Sequence, residues 1–381
     1  MINDAVLATI PSPCFVLDEV RLERNLQVFD RVQRSAPVRV LLALKGFALF
    51  HSFPMIRQSL VGASASSLWE ARLAAEEFGG TLHVYSPAYR DQDLSELLDR
   101  ASHLTFNSLS QWERTRSREP KAPPKGSTSI GLRINPLYSP VKTALYNPCQ
   151  PGSRLGVLPE QLGDRLPDGI NGFLSHNLCE SDSFALEKTL QQIEQHYGHL
   201  LPQIQWLNLG GGHLMTHETY DVDHAIAVLC AFHDRYPHLQ LFLEPGSAIV
   251  WQTGFLLSTV LDLIPTLDLT HAMLDVSFTA HMPDCLEMPY HPEIVGATVS
   301  ENGYRLGGAS CLAGDFLGDY QFDQPLSVGD RVVFEDMMHY TMVKTTMFNG
   351  VAHPAIGCLK KDGSFELWRE FGYEDYRSRI G

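Results

Sequence analysis

The chain has 381 residues, 44% of them hydrophobic and 19% charged, with a net charge of −15. At that length a single core stops growing, so one large domain with a smaller companion is expected. The acidic balance disfavours nucleic acid as a partner, and no run approaches the roughly 18 apolar residues of a membrane span.

The amino terminus, Met1-Ile2-Asn3-Asp4, lacks the basic stretch and apolar run of a secretory leader. Seven scattered cysteines with no Cys-x-x-Cys pair argue against a zinc site or a disulfide framework. A cytoplasmic protein without a metal centre is therefore expected.

Short apolar runs that read as strands recur at 38–44, 60–65, 81–86, 103–107, 129–135, 172–176, 206–210 and 241–244. Between them lie helix-like stretches, clearest at 68–78, 91–101, 183–200 and 222–235. The third begins like a capped helix at Ser183-Phe184-Ala185, with an N-cap candidate ahead of its apolar-periodic run. Eight strands alternating with helices predict an α/β fold, a closed (β/α)8 TIM-type barrel, with an open doubly wound sheet as the rival. The proline-rich stretch 117–127 reads as a long surface loop within it. After Val250 the rhythm changes to β runs at 255–264, 271–276, 294–299, 304–306, 331–334, 355–359 and 365–368. Asn302-Gly303 and Asp362-Gly363 are hairpin signals, so a second, mainly β C-terminal domain is expected.

In a barrel of this type, chemistry gathers at the carboxyl ends of the strands. Read in order, those ends carry Lys45, Ser64, Tyr85 with Ser86, Asn107, Arg133, His176, Gly210-Gly211-Gly212 and Glu244. Lys45 closes a buried run, which suits a depressed pKa and a nucleophilic amine; alone it could equally snorkel into water. The three glycines let backbone N–H groups approach an anion, and Glu244-Pro245-Gly246 sets a second glycine beside them. An amine, a phosphate cradle, an imidazole and a carboxylate together point to pyridoxal 5'-phosphate, which needs a lysine, a phosphate site and an acidic partner for its ring nitrogen.

These residues stand in motifs that resemble the fold-type III pyridoxal-phosphate decarboxylases. The motifs are Ala43-Leu44-Lys45, Ser64-x-x-Ser67-x-x-Glu70, Leu132-Arg133-Ile134-Asn135-Pro136, His176, Gly210–Gly212, Glu244-Pro245-Gly246, Ser310-Cys311-x-x-x-Asp315, Val328-Gly329-Asp330, Tyr340-Thr341 and Phe348-Asn349-Gly350. Within that group the chain looks most like the carboxynorspermidine/carboxyspermidine decarboxylases. That likeness rests on His176-Asn177-Leu178-Cys179-Glu180, Cys311-Leu312-Ala313-Gly314-Asp315-Phe316, Phe334-Glu335-Asp336-Met337 and the tail from Phe371 to Arg377. The resemblance implies a barrel over 25–254 and a β domain over 255–381 completed by residues 1–24. It also implies a homodimer in which Cys311 and Asp315 reach the partner's cofactor. Tyr340 would bind the phosphate, Arg133 and His176 would lie near the ring, and Cys311 would be the acid that protonates the carbanion left by carbon dioxide.

Two departures bear on the substrate. Diaminopimelate decarboxylases commonly carry arginines that grip a distal carboxylate, one directly after Glu-Pro-Gly and one early in the β domain. Here those places read Ser247 and Met282-Pro283-Asp284-Cys285-Leu286-Glu287. An acidic lining repels a second carboxylate and attracts an ammonium. Ser247, Asp275, Asp284, Glu287 and Asp315 are accordingly the candidate substrate-binding residues. The expected reaction is decarboxylation of carboxynorspermidine or carboxyspermidine, small-molecule polyamine precursors. The alternatives are a diaminopimelate or other basic amino-acid decarboxylase, a racemase of the same barrel (which Glu244 opposes), and a catalytically silent relative.

Overall fold

The computed structural model describes residues 4–118 and 128–381. Most of the loop expected at 117–127 lies outside the described residues; 117 and 118 end the helix Leu109–Arg118. Two compact units make up the chain: Asn25–Ile249, and Met1–Arg24 together with Val250–Gly381. Strand β1 (Cys14–Asp18) belongs to the second unit, and the next eight strands build the first.

The first unit is a closed, all-parallel barrel, which excludes the open sheet. Its strands are β2 (Val38–Ala43), β3 (Gly62–Ala65), β4 (Thr81–Tyr85), β5 (His103–Phe106), β6 (Ser129–Arg133), β7 (Ile170–Leu174), β8 (Trp206–Asn208) and β9 (Gln240–Leu243). They pair in sequence order, and β9 returns to β2 with Val38 opposite Leu241. Strands this short and buried on both faces read as apolar runs rather than alternations, which is why the sequence pattern locates all eight.

The barrel interior is filled, as in any barrel of this size. The Trp206 indole spans it and donates from Nε1 to Ser129 Oγ at 2.9 Å. Its ring stands where a Cβ on Gly131 or Gly172 would sit, at 2.3 and 2.0 Å, so both strands need glycine for it to fit. His83, His103 and Phe242 pack around it, with the two histidine rings 4.1 Å apart.

Helix starts are set by side-chain caps, each worth about 1 kcal/mol. Ser67 caps Leu68–Leu73, and the expected helix to 78 finishes as a π turn over Ala74–Phe78. Asp221 caps Val222–Arg235. For Ser183–Tyr197 the cap is Asp182, one residue earlier than the run suggests, because its carboxylate reaches the N–H of Ala185.

The second unit is an eight-stranded sheet built from β1, β10 (Gly254–Pro265), β11 (Thr270–Leu274), β12 (Ala297–Gly307), β13 (Phe316–Phe322), β14 (Arg331–Glu335), β15 (Ala355–Leu359) and β16 (Phe365–Arg369). The order is β13-β12-β11-β10-β1-β15-β16, with β14 also on β10. Strand β1 runs parallel to β15 and antiparallel to β10. Cys14, Val16, Phe255, Leu257 and Val333 form its apolar centre.

The expected hairpin at Asn302-Gly303 is not formed. Val299 and Tyr304 both pair with Tyr320, so the intervening residues bulge out of one continuous strand. The partner strand β13 decides this, and its Gly318 and Asp319 hide it from an apolar-run search. Asp362-Gly363 does turn β15 into β16. Among the described residues no helix is long and apolar enough to cross a membrane, no metal-binding cluster of acids, histidines and cysteines occurs, and none of the seven cysteines is in a disulfide.

Candidate active site

The carboxyl ends of the barrel strands bring Lys45, Ser64, Arg133, His176, Gly210–Gly212 and Glu244 to one mouth. Lys45 follows β2, where Ala43 N–H bonds to Pro245 O at 3.0 Å and Leu44 N–H to Ser64 O at 3.0 Å. Its side chain is accessible to solvent yet closely surrounded by protein. Desolvation lowers its pKa, Arg133 adds to the shift, and Glu244 opposes it. The Lys45 Nζ lies 2.9 Å from His176 Nε2.

His176 is held from two sides. Gly211 donates its N–H to Nδ1 at 3.0 Å, and Arg133 donates to the His176 carbonyl at 2.7 Å. Burial, with Lys45 and Arg133 nearby, pushes the imidazole pKa well down, so the ring is neutral. The Arg133 guanidinium also lies over the Tyr85 ring, 4.8 Å from its centre. Tyr85 in turn donates to Asn107 Oδ1 at 2.8 Å, which also accepts the Gly156 N–H. Tyr85 and Asn107 thus brace the wall of the mouth.

Glu244, just past β9, receives a 2.5 Å hydrogen bond from Asn208 Nδ2. His83 Nδ1 is 3.6 Å from the same oxygen. Burial raises the carboxyl pKa; the Asn208 amide, then Lys45 and the Ser64 hydroxyl, pull it back toward the ionised form. Glu70, at the head of its helix, accepts the Ser66 N–H at 2.6 Å and also feels the Lys45 charge.

The glycine loop is a cradle that side chains would fill. A Cβ at Gly210 would meet His176 Nδ1 at 2.6 Å, at Gly211 the Glu244 carbonyl at 2.4 Å, and at Gly212 the Leu178 carbonyl at 2.1 Å. Gly210 also has φ +68, a conformation glycine adopts freely. An accessible amine with a lowered pKa, a carboxylate and a bare backbone cradle fit the three attachment needs of pyridoxal phosphate. Gly246 packs on Gly46, and Ser247 opens the turn Ser247–Val250 behind them.

The remaining candidates lie in the sheet unit. Cys311 is exposed in the loop before β13. Asp315 is buried and accepts from Thr279 N at 3.0 Å, Thr279 Oγ1 at 3.3 Å and Ser310 N at 3.1 Å. Asp275 accepts from Ser258 Oγ, Thr259 N and Ser12 Oγ at 2.7 to 2.9 Å. Asp284 and Glu287, on the turn Pro283–Glu287, each bind the Lys344 ammonium at 2.6 Å. That ammonium lies 5.9 Å from the centre of the Tyr340 ring. Asn208 and His83 were not among the expected residues; Asn208 closes strand β8 and His83 sits inside β4, where a polar residue in a buried apolar run was the available signal.

Comparison with known proteins gives one family over most of the chain. The family described as pyridoxal-dependent decarboxylase, C-terminal sheet domain, matches residues 14–338. A carboxyaminopropylagmatine decarboxylase of Synechocystis is 68% identical over 98% of this chain and 97% of that protein. A carboxynorspermidine/carboxyspermidine decarboxylase of Campylobacter jejuni is 38% identical over 97% of this chain and 98% of its own length. The crystal structure of carboxynorspermidine decarboxylase from Campylobacter jejuni, complexed with norspermidine, matches with a TM-score of 0.88 at 37% identity, covering 97% of this chain and 100% of that one. The resemblance read from the motifs therefore holds across the full length.

Proposed function

Because the chain belongs to the pyridoxal-dependent decarboxylases, we propose that it removes carbon dioxide from carboxyaminopropylagmatine in polyamine biosynthesis. The 68% identity to the Synechocystis enzyme of that name carries this choice of substrate. Carboxynorspermidine and carboxyspermidine are the second reading, favoured by relatives at 38% identity. All three share an α-amino acid at one end and cationic nitrogen at the other, the pattern an acidic lining selects.

Pyridoxal phosphate, when bound, supplies the electron-accepting ring that takes up the charge left as carbon dioxide departs. Lys45 would hold its aldehyde carbon, Glu244 its ring nitrogen, and His176 and Arg133 would flank the ring. The bare loop Gly210–Gly212, with Gly246 and Tyr340, would hold its phosphate, the N–H groups of Gly210 and Gly211 being taken by Asn208 and His176, and Ser64 would support Glu244. We assign Cys311 to proton return at the substrate α-carbon and place it, in a homodimer, at the partner's site.

For the far end of the substrate, Asp284 and Glu287 are the acids we favour. With Lys344 between them they leave one net negative charge, enough for one guanidinium or ammonium. Asp275 and Asp315, whose oxygens are already taken by hydroxyl and backbone donors, are better suited to holding their own loops. Ser247 replaces the arginine that a distal carboxylate would need. Seven cysteines outside any disulfide suit the reducing cytosol in which we place the protein.

Steady-state comparison of carboxyaminopropylagmatine, carboxynorspermidine, carboxyspermidine and meso-diaminopimelate tests the reading. The highest kcat/KM is expected for the first; a preference for diaminopimelate overturns the assignment of the acidic lining.

A further inference from the structure

We propose that Asn208 is a positioning residue that locks the Glu244 carboxylate to the glycine loop, and that His83 holds its amide in place by accepting the second amide hydrogen. The inference rests on Glu244 meeting the cofactor's ring nitrogen, and it adds the device that aims that carboxylate.

Three contacts form a closed cycle. Gly210 donates its N–H to Asn208 Oδ1 at 2.8 Å. Asn208 Nδ2 donates to Glu244 Oε1 at 2.5 Å. Glu244 returns the connection, its own N–H bonding to Gly210 O at 2.7 Å. Carboxylate and loop therefore cannot shift independently. One carboxylate oxygen is committed to the amide.

The amide has no freedom to invert. Its oxygen faces a backbone N–H, which can only donate, so its nitrogen must face Glu244 and His83. The second amide hydrogen goes to His83 Nδ1 at 2.8 Å. A neutral His83 that accepts at Nδ1 carries its proton on Nε2. Asn208 and His83 are 1% and 3% exposed, so these bonds are shielded from water.

His83 is an expensive choice for its place. Its Nε2 has no partner among the described atoms and lies within the aromatic group of His103, Trp206 and Phe242. A buried unpaired N–H is costly, and phenylalanine would fill the space without it. What phenylalanine lacks is the acceptor for Asn208. The imidazole's Nδ1 contact is the feature that accounts for a histidine here.

The test uses the full chain reconstituted with pyridoxal phosphate labelled with 15N at the ring. The ring nitrogen's protonation midpoint is read from its NMR shift against pH, and cofactor Kd is measured in parallel. Asn208→Leu is expected to lower the midpoint by about one pH unit, a tenfold change in proton affinity, and to weaken cofactor binding about tenfold. His83→Phe, which keeps the ring volume, should move the midpoint the same way by less and serves if the first variant does not fold. Glu244→Gln is the reference. A displaced midpoint in Glu244→Gln with wild-type values in both other variants overturns the lock alone. An undisplaced midpoint in Glu244→Gln overturns the assignment of Glu244, and the lock with it.

Discussion

Gly211 donates its backbone N–H to Nδ1 of His176 at 3.0 Å, and that bond decides the state of Lys45. A neutral imidazole that accepts at Nδ1 carries its hydrogen on Nε2. Nε2 is 2.9 Å from Lys45 Nζ, so the amine is the acceptor and must be uncharged. The lowered pKa of Lys45, caused by burial and Arg133, agrees with this.

The consequence is a pH profile. The folded pKa of Lys45 lies below the ordinary 10.5, so the free amine appears at lower pH than in a solvated lysine. Capture of pyridoxal phosphate by the apoprotein should rise with pH and level off below pH 10.5. Over the same window the unfolded chain binds the extra proton, so Lys45's contribution makes the apoprotein more stable as pH rises through it. His176→Phe removes the donor and should move the plateau upward; Lys45→Ala should abolish capture. Stopped-flow absorbance across pH measures both, and a plateau unmoved in His176→Phe refutes the hydrogen-bond argument.

Cys311 is exposed in its loop, free of a disulfide. If its thiol returns the proton to the α-carbon, Cys311→Ala should lower kcat about a hundredfold or more, the usual scale for a positioned acid. Cofactor affinity should stay within twofold of wild type, because the thiol has no part in holding it. Equal turnover in the variant removes Cys311 from the reaction.

The Asp284–Lys344–Glu287 group gives a prediction about KM. Glu287 is half exposed, so its charge is screened and its removal is modest. Glu287→Gln should raise KM for a substrate with a cationic tail about three- to tenfold and leave kcat nearly unchanged. Asp284, the more buried acid, should show the larger effect. Initial-rate measurements on both variants, with a substrate lacking the distal cation as control, decide whether the acids face substrate or only Lys344.

Asp315 holds the loop that carries Cys311. Its oxygens take N–H groups from Ser310 and Thr279, two segments the chain brings together at its buried carboxylate. Asp315→Ala leaves both donors unpaired and should cost about 2–3 kcal/mol. Asp315→Asn keeps one acceptor oxygen and should cost less. Chemical denaturation gives the stability change, and the alkylation rate of Cys311 in the apoprotein reports the loop; an unchanged rate in Asp315→Ala shows that the loop is held by other contacts.

The barrel was legible because its strands are short, mostly apolar runs, and the polar residues that line the mouth stand at or just past their carboxyl ends. Lys45, His176 and Glu244 needed only that ordering to be found. Asn208 and His83 were hidden by the same rule, since a residue inside a buried run reads as core whatever its chemistry. Strand β13 escaped for the opposite reason: Phe316-Leu317-Gly318-Asp319-Tyr320 offers no sustained apolar stretch, and its pairing with β12 is what makes it a strand. For Asp275 and Asp315 the sequence displays an acid but not the hydroxyl and N–H groups that occupy it. Those donors come from residues as distant as Ser12, which only the folded sheet brings near.

Gly172 offers a stability test that also reaches the site. A Cβ there would lie 2.0 Å from Trp206 Cε2, and the indole has little room to retreat. Ser129 holds its Nε1 at 2.9 Å, and the His83 and His103 rings stand 5.5 and 5.0 Å away. Gly172→Ala should therefore destabilise the protein by about 1–3 kcal/mol, the usual cost of overpacking. Because His83 touches both the indole and Asn208, the displacement should also weaken cofactor binding. In a Trp206→Phe background the smaller ring leaves space, and the same Gly172→Ala change should cost markedly less. Urea denaturation of the four proteins in that cycle measures the coupling; additive costs show that the clash is relieved elsewhere and that the indole does not set the position of His83.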